Sequence, residues 1–221
     1  MKKAVIIGAG THGEIYTAYL KEAGIEIHGF IDDKDEIQGT EIRGVKVIGK
    51  YGDLFSKKFK DNYTDIYCPI GNNVIRQEYL SSLKLEGYNT PNYIHPSVII
   101  SPNVILGEAI YMLPGNSVMP YVTIGDYFMV NMGTTIGHHT KIGKSVFMSS
   151  GVHVGASLSI GERAFLGLGS TIMTGISKLG IECLIGAGSV VIREVPDYAV
   201  VCGNPAKVLR YKDPAIPLII N

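Results

Sequence analysis

Two short stretches of the chain carry residue types that could do chemistry. The first, Gly8-Ala9-Gly10-Thr11-His12-Gly13, has the pattern GxGxxG, and Asp32 and Asp33 follow about twenty residues later, as in a dinucleotide-binding fingerprint. Such glycines let a backbone approach a phosphate group, and the start of a following helix stabilises its negative charge. The pattern predicts a site for a nucleotide diphosphate. The alternative is a tight turn with a purely structural role.

The second stretch contains two adjacent histidines, His138 and His139. Histidine has an ordinary pKa close to neutrality, so its imidazole can take a proton from a reacting group. His138 is therefore a candidate general base, and the alternative is a solvated histidine at a turn. No set of His, Cys and acidic residues has metal-ligand spacing, so no metal is expected.

The glycine-rich stretch lies between predicted elements of an α/β unit. Ala4–Gly8 reads as a buried strand, followed by a helix to about Ala23 and a strand over Ile25–Ile31. Asp65–Pro69 reads as a further strand, and a helix is expected from about Val74 to Leu85. This order predicts a small Rossmann-like domain with a parallel sheet over residues 1–92. That length is short of the two mononucleotide halves of a full dinucleotide-binding domain.

The histidines lie in a repeat that occupies the rest of the chain. Every sixth residue is aliphatic at Ile94, Ile100, Leu106, Met112, Val118, Ile124, Val130, Ile136, Ile142, Met148, Val154, Ile160, Leu166 and Ile172. One extra residue then shifts the phase, and the pattern resumes at Leu179, Ile185 and Val191. A period of six fits neither an α-helix nor a flat sheet, whose periods are about 3.6 and 2.

Each hexad is expected to form a short strand and a corner. One hexad cannot bury its aliphatic residue alone, whereas stacked coils can. Glycine often follows the aliphatic residue, as at Gly125 and Gly137, and is expected to supply a corner conformation that other residues resist. A β-sandwich with regular turns, the alternative, would not keep so strict a period.

Composition excludes several function classes. Of 221 residues, 46% are hydrophobic and 18% are charged, with 20 basic and 20 acidic residues. A net charge of zero argues against broad binding to nucleic acid or to an anionic membrane. No stretch approaches the roughly 20 apolar residues of a membrane span. Three cysteines without CxxC spacing favour a reducing, cytoplasmic setting.

Together the two halves resemble the NeuD/PglD-type sugar acetyltransferases, which belong to the hexapeptide-repeat acyltransferases. The resemblance rests on the glycine-rich stretch, on Phe30-Ile31-Asp32-Asp33, on Ile70-Gly71-Asn72-Asn73-Val74-Ile75-Arg76, and on Ile136-Gly137-His138-His139-Thr140-Lys141-Ile142-Gly143. A less specific match is Gly203-Asn204-Pro205-Ala206-Lys207. The resemblance to this family implies a left-handed parallel β-helix over residues 93–221, with a C-terminal tail. It also implies a homotrimer whose active site lies between neighbouring β-helices.

The resemblance also implies a set of site residues. The nucleotide sugar would be bound by Gly10, Thr11, His12, Asp32, Asp33, Gly71 and Asn72, and the coenzyme by main-chain groups near Gly155, Ala156, Leu168 and Gly186. His138 would be the catalytic base, with Asn131 as a second active-site residue. Asn72 could instead cap the following helix, and Asn131 could instead belong to the stack of coils.

His139 departs from the family, which usually has Glu or Asp after the catalytic histidine. A carboxylate there would orient the base and stabilise its protonated form. A second histidine is expected to give weaker, local support. A backbone N–H of Gly155 or Ala156 is expected to stabilise the oxyanion.

The function implied is transfer of the acetyl group of acetyl-CoA to the 4-amino group of a UDP-, dTDP- or GDP-linked 4-amino-4,6-dideoxyhexose. The product would enter the synthesis of O-antigen, other surface polysaccharides or glycans. The first alternative is O-acetylation of a sialic-acid-type sugar. A second, an NAD-dependent oxidoreductase, would leave the hexads unexplained, and a third is a β-helical scaffold without catalysis.

Overall fold

The computed structural model describes residues 3–213, and within them the chain forms two compact units. The first unit runs to Gly71 and resumes from Glu78 to Pro91. The second consists of Asn72–Gln77 and the chain from Asn92 onward. The predicted C-terminal tail includes residues 214–221, which lie outside the described residues.

The first unit is built around a mostly parallel sheet. Its elements are β1 (Ala4–Ile7), α1 (Thr11–Glu22), β2 (Ile27–Ile31), a 3-10 turn (Asp35–Ile37), β3 (Glu41–Ile42), β4 (Val45–Gly49), a second 3-10 turn (Tyr51–Phe55), α2 (Lys57–Asn62) and β5 (Asp65–Tyr67). Helix α3 (Asn73–Leu85) follows, and its first residues group with the second unit. The strand order is β3-β4-β2-β1-β5. Neighbouring strands in this order are parallel except for β3 and β4, which are antiparallel.

The predicted strands and helices of this unit are confirmed, and their apolar residues form its core. Ile6 of β1, Phe30 of β2 and Ile66 of β5 are fully buried. The β3–β4 hairpin and α2 were not predicted. In β4, buried Val45 and Val47 alternate with exposed Lys46, which is the pattern of a strand with one buried face.

The second unit is a stack of two-residue strands joined by corners. Strands β6 to β22 are, in chain order, Tyr93–Ile94, Ile99–Ile100, Ile105–Leu106, Tyr111–Met112, Ser117–Val118, Thr123–Ile124, Met129–Val130, Thr135–Ile136, Lys141–Ile142, Phe147–Met148, His153–Val154, Ser159–Ile160, Phe165–Leu166, Thr171–Ile172, Lys178–Leu179, Leu184–Ile185 and Val190–Val191. The periodic aliphatic residue is the second residue of every strand. The repeat therefore predicted the position of each strand.

Parallel pairing of every third strand closes these strands into a three-sided β-helix. One face carries β6, β9, β12, β15, β18 and β21, the next carries β7, β10, β13, β16, β19 and β22, and the third carries β8, β11, β14, β17 and β20. Ile136, for example, pairs with Val118 on one side and with Val154 on the other. From Met112 onward these aliphatic side chains form one continuous buried core, against which the partly buried Ile94 and Leu106 pack.

The glycines that follow the aliphatic residues do not have the role predicted for them. Gly137 does not have a left-handed backbone, but a Cβ atom on it would lie 2.6 Å from the carbonyl carbon of Gly155 in the next coil. Left-handed backbone occurs two residues later, for example at His139 (φ 57°) and, one coil earlier, at Tyr121 (φ 64°). The predicted corner conformation is therefore wrong for these glycines. Close approach of successive coils is what excludes a side chain.

A hairpin ends the described part of the stack. Strand β23 (Ala199–Gly203) pairs with β21 in parallel and with β24 (Ala206–Tyr211) in antiparallel fashion. The Gly203–Lys207 motif forms the turn between β23 and β24. Within residues 3–213, no helix is long and apolar enough to cross a membrane.

Candidate active site

The loops after β1 and β5 line an open cavity of about 180 Å³ in the first unit. Its lining consists of Gly8, Gly10, Thr11, His12, Gly13, Pro69, Ile70 and Gly71. Strand β1 lies between β2 and β5, so the chain leaves β1 towards one side while β5 is added on the other. Ligands of parallel α/β sheets bind at this topological switch, beyond the carboxyl ends of the strands. The structure thus brings together four predicted residues, Gly10, Thr11, His12 and Gly71.

The three glycines of the GxGxxG pattern have different roles. Gly8 has a left-handed φ of +94°, and a Cβ on Gly13 would lie only 1.9 Å from the carbonyl oxygen of Gly8. Both are therefore required by the fold of the loop. Gly10 has open space around its Cβ position and caps α1 without a side-chain hydrogen bond. The fold of the loop therefore does not require glycine at position 10, and Gly10 leaves bare backbone at the start of α1.

Asp32 and Asp33 hold loops at the carboxyl end of β2. Asp32 accepts hydrogen bonds from the Ala9 N–H through Oδ2 at 2.9 Å and from the Lys34 N–H through Oδ1 at 3.1 Å. Neither carboxylate is among the residues that line the cavity. Each carboxylate oxygen can accept a further hydrogen bond. The contact shown for Asp32 fixes the glycine-rich loop.

Asp33 belongs to a small aromatic cluster. Its Oδ1 accepts from the Tyr51 N–H at 2.9 Å, and its Oδ2 accepts from the Tyr79 hydroxyl at 3.1 Å. The rings of Tyr51 and Tyr79 are stacked, with centroids 3.6 Å apart. Burial, together with the hydrogen bond to Asp33, holds the pKa of Tyr79 well above its usual range. The hydroxyl therefore remains protonated and donates to the carboxylate at neutral pH.

Asn72 begins α3. Its Oδ1 accepts from the backbone N–H groups of Val74 and Ile75 at 3.0 and 3.1 Å. This is the side-chain cap of a helix N-terminus, so the capping alternative for Asn72 is confirmed. Its neighbour Gly71 lies against His12, since a Cβ on Gly71 would be 3.2 Å from His12 Cε1.

In the second unit, His138 and His139 form the corner between β13 and β14. Their Nδ1 atoms are 3.0 Å apart, and their rings are nearly perpendicular. The ring of Tyr121, at the same corner of the preceding coil, lies 4.8 Å from the ring of His139. Tyr121 was not predicted as a site residue. The signal for it is the repeat itself, because Tyr121 and His139 occupy the same position in successive coils.

Asn131 lies at the preceding corner of the same coil, just after β12. Its backbone N–H donates to the carbonyl of Met148 at 2.9 Å, which places it in the stack. Its side-chain Oδ1 is buried and has no hydrogen-bond partner among the described residues. A buried acceptor without a partner costs about 1–3 kcal/mol. This oxygen is therefore suited to a donor supplied by a ligand or by another protomer.

The backbone donors next to the histidine corner differ in availability. The Gly155 N–H donates to the carbonyl of Ile172 at 2.9 Å, so the structure contradicts the oxyanion role predicted for that N–H. The Ala156 N–H has only a longer contact, 3.3 Å, with the hydroxyl of Thr174. A hydroxyl can rotate away, which leaves Ala156 as the better donor.

The remaining predicted coenzyme residues lie farther along the stack. Leu168 has a side chain that is 58% exposed, and the Gly186 N–H is used in the ladder, donating to Val201 at 2.8 Å. Among residues 3–213, no group of three or more His, Cys, Asp or Glu side chains is placed to hold a metal ion.

Comparison with known proteins matches both halves of the chain. The family described as the PglD N-terminal domain matches residues 3–83. The structure of PerB from Caulobacter crescentus, in complex with CoA and GDP-perosamine, is 30% identical with a TM-score of 0.86. A histidine-to-asparagine variant of perosamine N-acetyltransferase from the same organism, with the same ligands, is 29% identical with a TM-score of 0.87. Each alignment covers 94% of this chain and 97% of the other.

A curated relative is similar over a shorter region. The dTDP-3-amino-3,6-dideoxy-alpha-D-galactopyranose 3-N-acetyltransferase of Aneurinibacillus thermoaerophilus is 47% identical over 45 residues, which is 20% of this chain and 23% of the relative. The match thus spans about a quarter of that protein.

An α/β unit with a bare glycine-rich loop, followed by a hexapeptide β-helix with a histidine corner, defines a hexapeptide-repeat acyltransferase. The similarity along nearly the whole chain confirms the predicted fold class, including the left-handed β-helix. Within this class, the chain belongs to the NeuD/PglD-type family of sugar acetyltransferases.

Proposed function

We propose that this chain transfers the acetyl group of acetyl-CoA to the 4-amino group of a nucleotide-linked 4-amino-4,6-dideoxyhexose. The observation that carries the proposal is the similarity, over 94% of the chain, to a protein in complex with both CoA and GDP-perosamine. An amino-sugar N-acetyltransferase among the curated relatives supports the nitrogen acceptor. The nucleotide is UDP, dTDP or GDP.

The first unit supplies the binding of the nucleotide part. The cavity at the switch point has a wall of bare backbone at Gly10 and the uncapped start of α1 at Thr11 and His12. Backbone N–H groups and the positive end of a helix attract a diphosphate. Asp32 and Asp33, at the end of β2, retain lone pairs for donors on the base or ribose, and Gly71 keeps the opposite wall open. Asn72 supports this wall by capping α3.

The second unit supplies the chemistry. The amine nitrogen attacks the carbonyl carbon of the thioester, and His138 Nε2 takes the proton that the nitrogen loses. The C–S bond then breaks, and the CoA thiolate recovers that proton, so the products are an amide and free CoA. The Ala156 N–H stabilises the oxyanion of the intermediate. The unpartnered Asn131 Oδ1 accepts a hydrogen bond from the amine and orients its lone pair.

The coenzyme and assembly complete the proposal. Acetyl-CoA contacts main-chain groups along the coils at Gly155, Ala156, Leu168 and Gly186. The protein is a homotrimer with its active sites between neighbouring β-helices. In this assembly a second protomer lies beside the exposed Leu168. Its setting is the cytoplasm, where the thiols of Cys68 and Cys183, which form no disulfide, stay reduced. Its product enters surface-polysaccharide or glycan synthesis.

The test is a panel of UDP-, dTDP- and GDP-linked 4-amino-4,6-dideoxyhexoses incubated with acetyl-CoA. One nucleotide sugar is expected to gain a single acetyl group by mass spectrometry, with release of one equivalent of free CoA. The matching 3-amino sugars and the free sugars serve as controls. Turnover of 3-amino sugars alone would move the acceptor carbon, and turnover of sialic acids alone would replace N-acetylation by O-acetylation.

A further inference from the structure

One hydrogen bond at the histidine corner decides whether His138 can act as a base. The Nδ1 atoms of His138 and His139 are 3.0 Å apart. A neutral imidazole has one donor nitrogen and one acceptor nitrogen, so one of the two Nδ1 atoms must carry the hydrogen. If His138 donates, its Nε2 has a free lone pair. If His139 donates, His138 carries its hydrogen on Nε2 and cannot take a proton there.

The backbone holds both rings at this contact. The carbonyl of His138 accepts from the Ser157 N–H in the next coil at 2.8 Å, and the His139 N–H donates to the carbonyl of Pro120 in the preceding coil at 3.2 Å. His139 has the left-handed φ of its corner, which turns its side chain relative to that of His138. These contacts fix the two backbone positions of the corner, and the two rings lie nearly perpendicular to one another.

Tyr121 restrains the second histidine. Its ring centroid lies 4.8 Å from that of His139, with the planes tilted by 32°. Aromatic pairs at this separation attract one another, so the contact limits rotation of the His139 ring. The ring of Tyr121 thus stabilises His139 in the rotamer that presents Nδ1 to His138.

We propose that His139, held by Tyr121, is a positioning residue that accepts the Nδ1–H of His138 and thereby keeps Nε2 of His138 free to act as the base. The inference rests on the proposed function, in which His138 receives the proton. When that proton arrives on Nε2, His138 becomes an imidazolium that still donates Nδ1–H to His139. His139 keeps its own hydrogen on Nε2, so no proton passes to it. A neutral ring thus does the orienting that the family usually assigns to a carboxylate.

Two substitutions at His139 separate this role from the shape of the corner. Glycine and asparagine both tolerate a left-handed backbone, but only asparagine brings an oxygen that can accept the Nδ1–H. His139→Gly is expected to lower kcat by about 10–100-fold, the usual effect of losing a group that orients a functional histidine. His139→Asn should recover most of this loss, and the KM for acetyl-CoA should stay within a factor of about two in both.

Ring-nitrogen chemical shifts of ¹⁵N-labelled histidine report the tautomer directly, without substrate. The His138 signals among the six histidines are assigned by their absence in His138→Gln. In the unmodified protein and in His139→Asn, His138 is expected to carry hydrogen on Nδ1 and not on Nε2. In His139→Gly, most of the population should carry it on Nε2. Tyr121→Phe, which retains the ring, should disturb these signals less than Tyr121→Asn.

Asn103→Gly is the matched control. Asn103 has a φ of 62° and occupies the same corner two coils before His139, so its replacement measures what glycine costs at such a corner. Unchanged His138 shifts in His139→Gly would overturn the proposal, as would full activity in that variant. If no acceptor sugar is turned over, the shifts still decide how His138 is positioned, so the two proposals fail separately.

Discussion

Histidines of the β-helix differ in what surrounds them, and this difference distinguishes the proposed base, His138, from His153. His138 lies at a corner, with its Nδ1 beside another imidazole. His153 lies on a strand face with an exposed ring, and its Nδ1 is 2.9 Å from the hydroxyl of Thr135. The carbonyl of His138 accepts from the Ser157 N–H of the next coil, so the corner lies beside the coil segment that contains Ala156.

Replacing His138 by alanine is expected to lower kcat by roughly 10²–10⁴-fold, the usual contribution of a general base. Binding of acetyl-CoA should change little, because the loss is confined to the transition state. The matched variant His153→Ala should retain the activity of the unmodified protein. Steady-state kinetics and calorimetric titration with CoA measure the two effects. Equal losses in both variants would refute the assignment of the base.

Residue types revealed the candidate base but not its partners. His138 was identifiable because its motif is specific. The roles of His139 and Tyr121 could not be read from the sequence, since they depend on ring orientation and on contact between successive coils. Asn72 shows the reverse case, because its capping geometry follows from its place before α3.

At the scale of elements, glycine has two separable functions in this β-helix. The next coil leaves no room for a side chain at Gly161, because a Cβ atom there would lie 2.4 Å from the backbone nitrogen of Ile181. Gly133 has open space there but a left-handed φ of +72°. The six-residue period locates Gly161, which follows the aliphatic Ile160, whereas Gly133 lies outside that register.

These constraints predict different losses of stability. Gly161→Ala should lower the free energy of unfolding by about 3 kcal/mol, since overpacking against backbone cannot be relieved by a side-chain rotation. Gly133→Ala should cost about 1–2 kcal/mol, the strain of an L-residue in left-handed backbone. Urea unfolding followed by circular dichroism measures both. A larger loss in Gly133→Ala than in Gly161→Ala would contradict the proposed division.

Element prediction succeeded where one side chain repeats in one role. The periodic aliphatic of each hexad marked every strand from β6 to β22, because each coil places it at the same position of a strand. The β3–β4 hairpin and α2 each occur once and have short hydrophobic patterns. The sequence therefore did not distinguish them from loops. The parallel strands β1 and β2, beside the glycine-rich stretch, were predicted because they are buried on both faces.

At the scale of the whole molecule, the proposed homotrimer can be tested by measuring the mass of the protein in solution. Large apolar side chains remain exposed on the second unit, including Ile99 and Ile105 at 64% each and Leu168 at 58%. Exposed apolar surface on a β-helix favours association, and closed threefold symmetry allows it without open growth. Sedimentation velocity at micromolar concentration should give three times the mass of the chain. A single monomeric species at that concentration would contradict an active site shared between protomers.

The pairing of most strands with a partner eighteen residues away, as between Thr135 and His153, also bears on how the molecule forms. Most coils close a chain segment of this length, so the entropy lost in adding a coil is nearly constant along the stack. Closing the first coil is therefore the barrier to folding of the β-helix. Each later coil then adds to the coil before it. As the chain leaves the ribosome, the α/β unit emerges ahead of the stack, and the β-helix can then grow one turn at a time towards its closing hairpin.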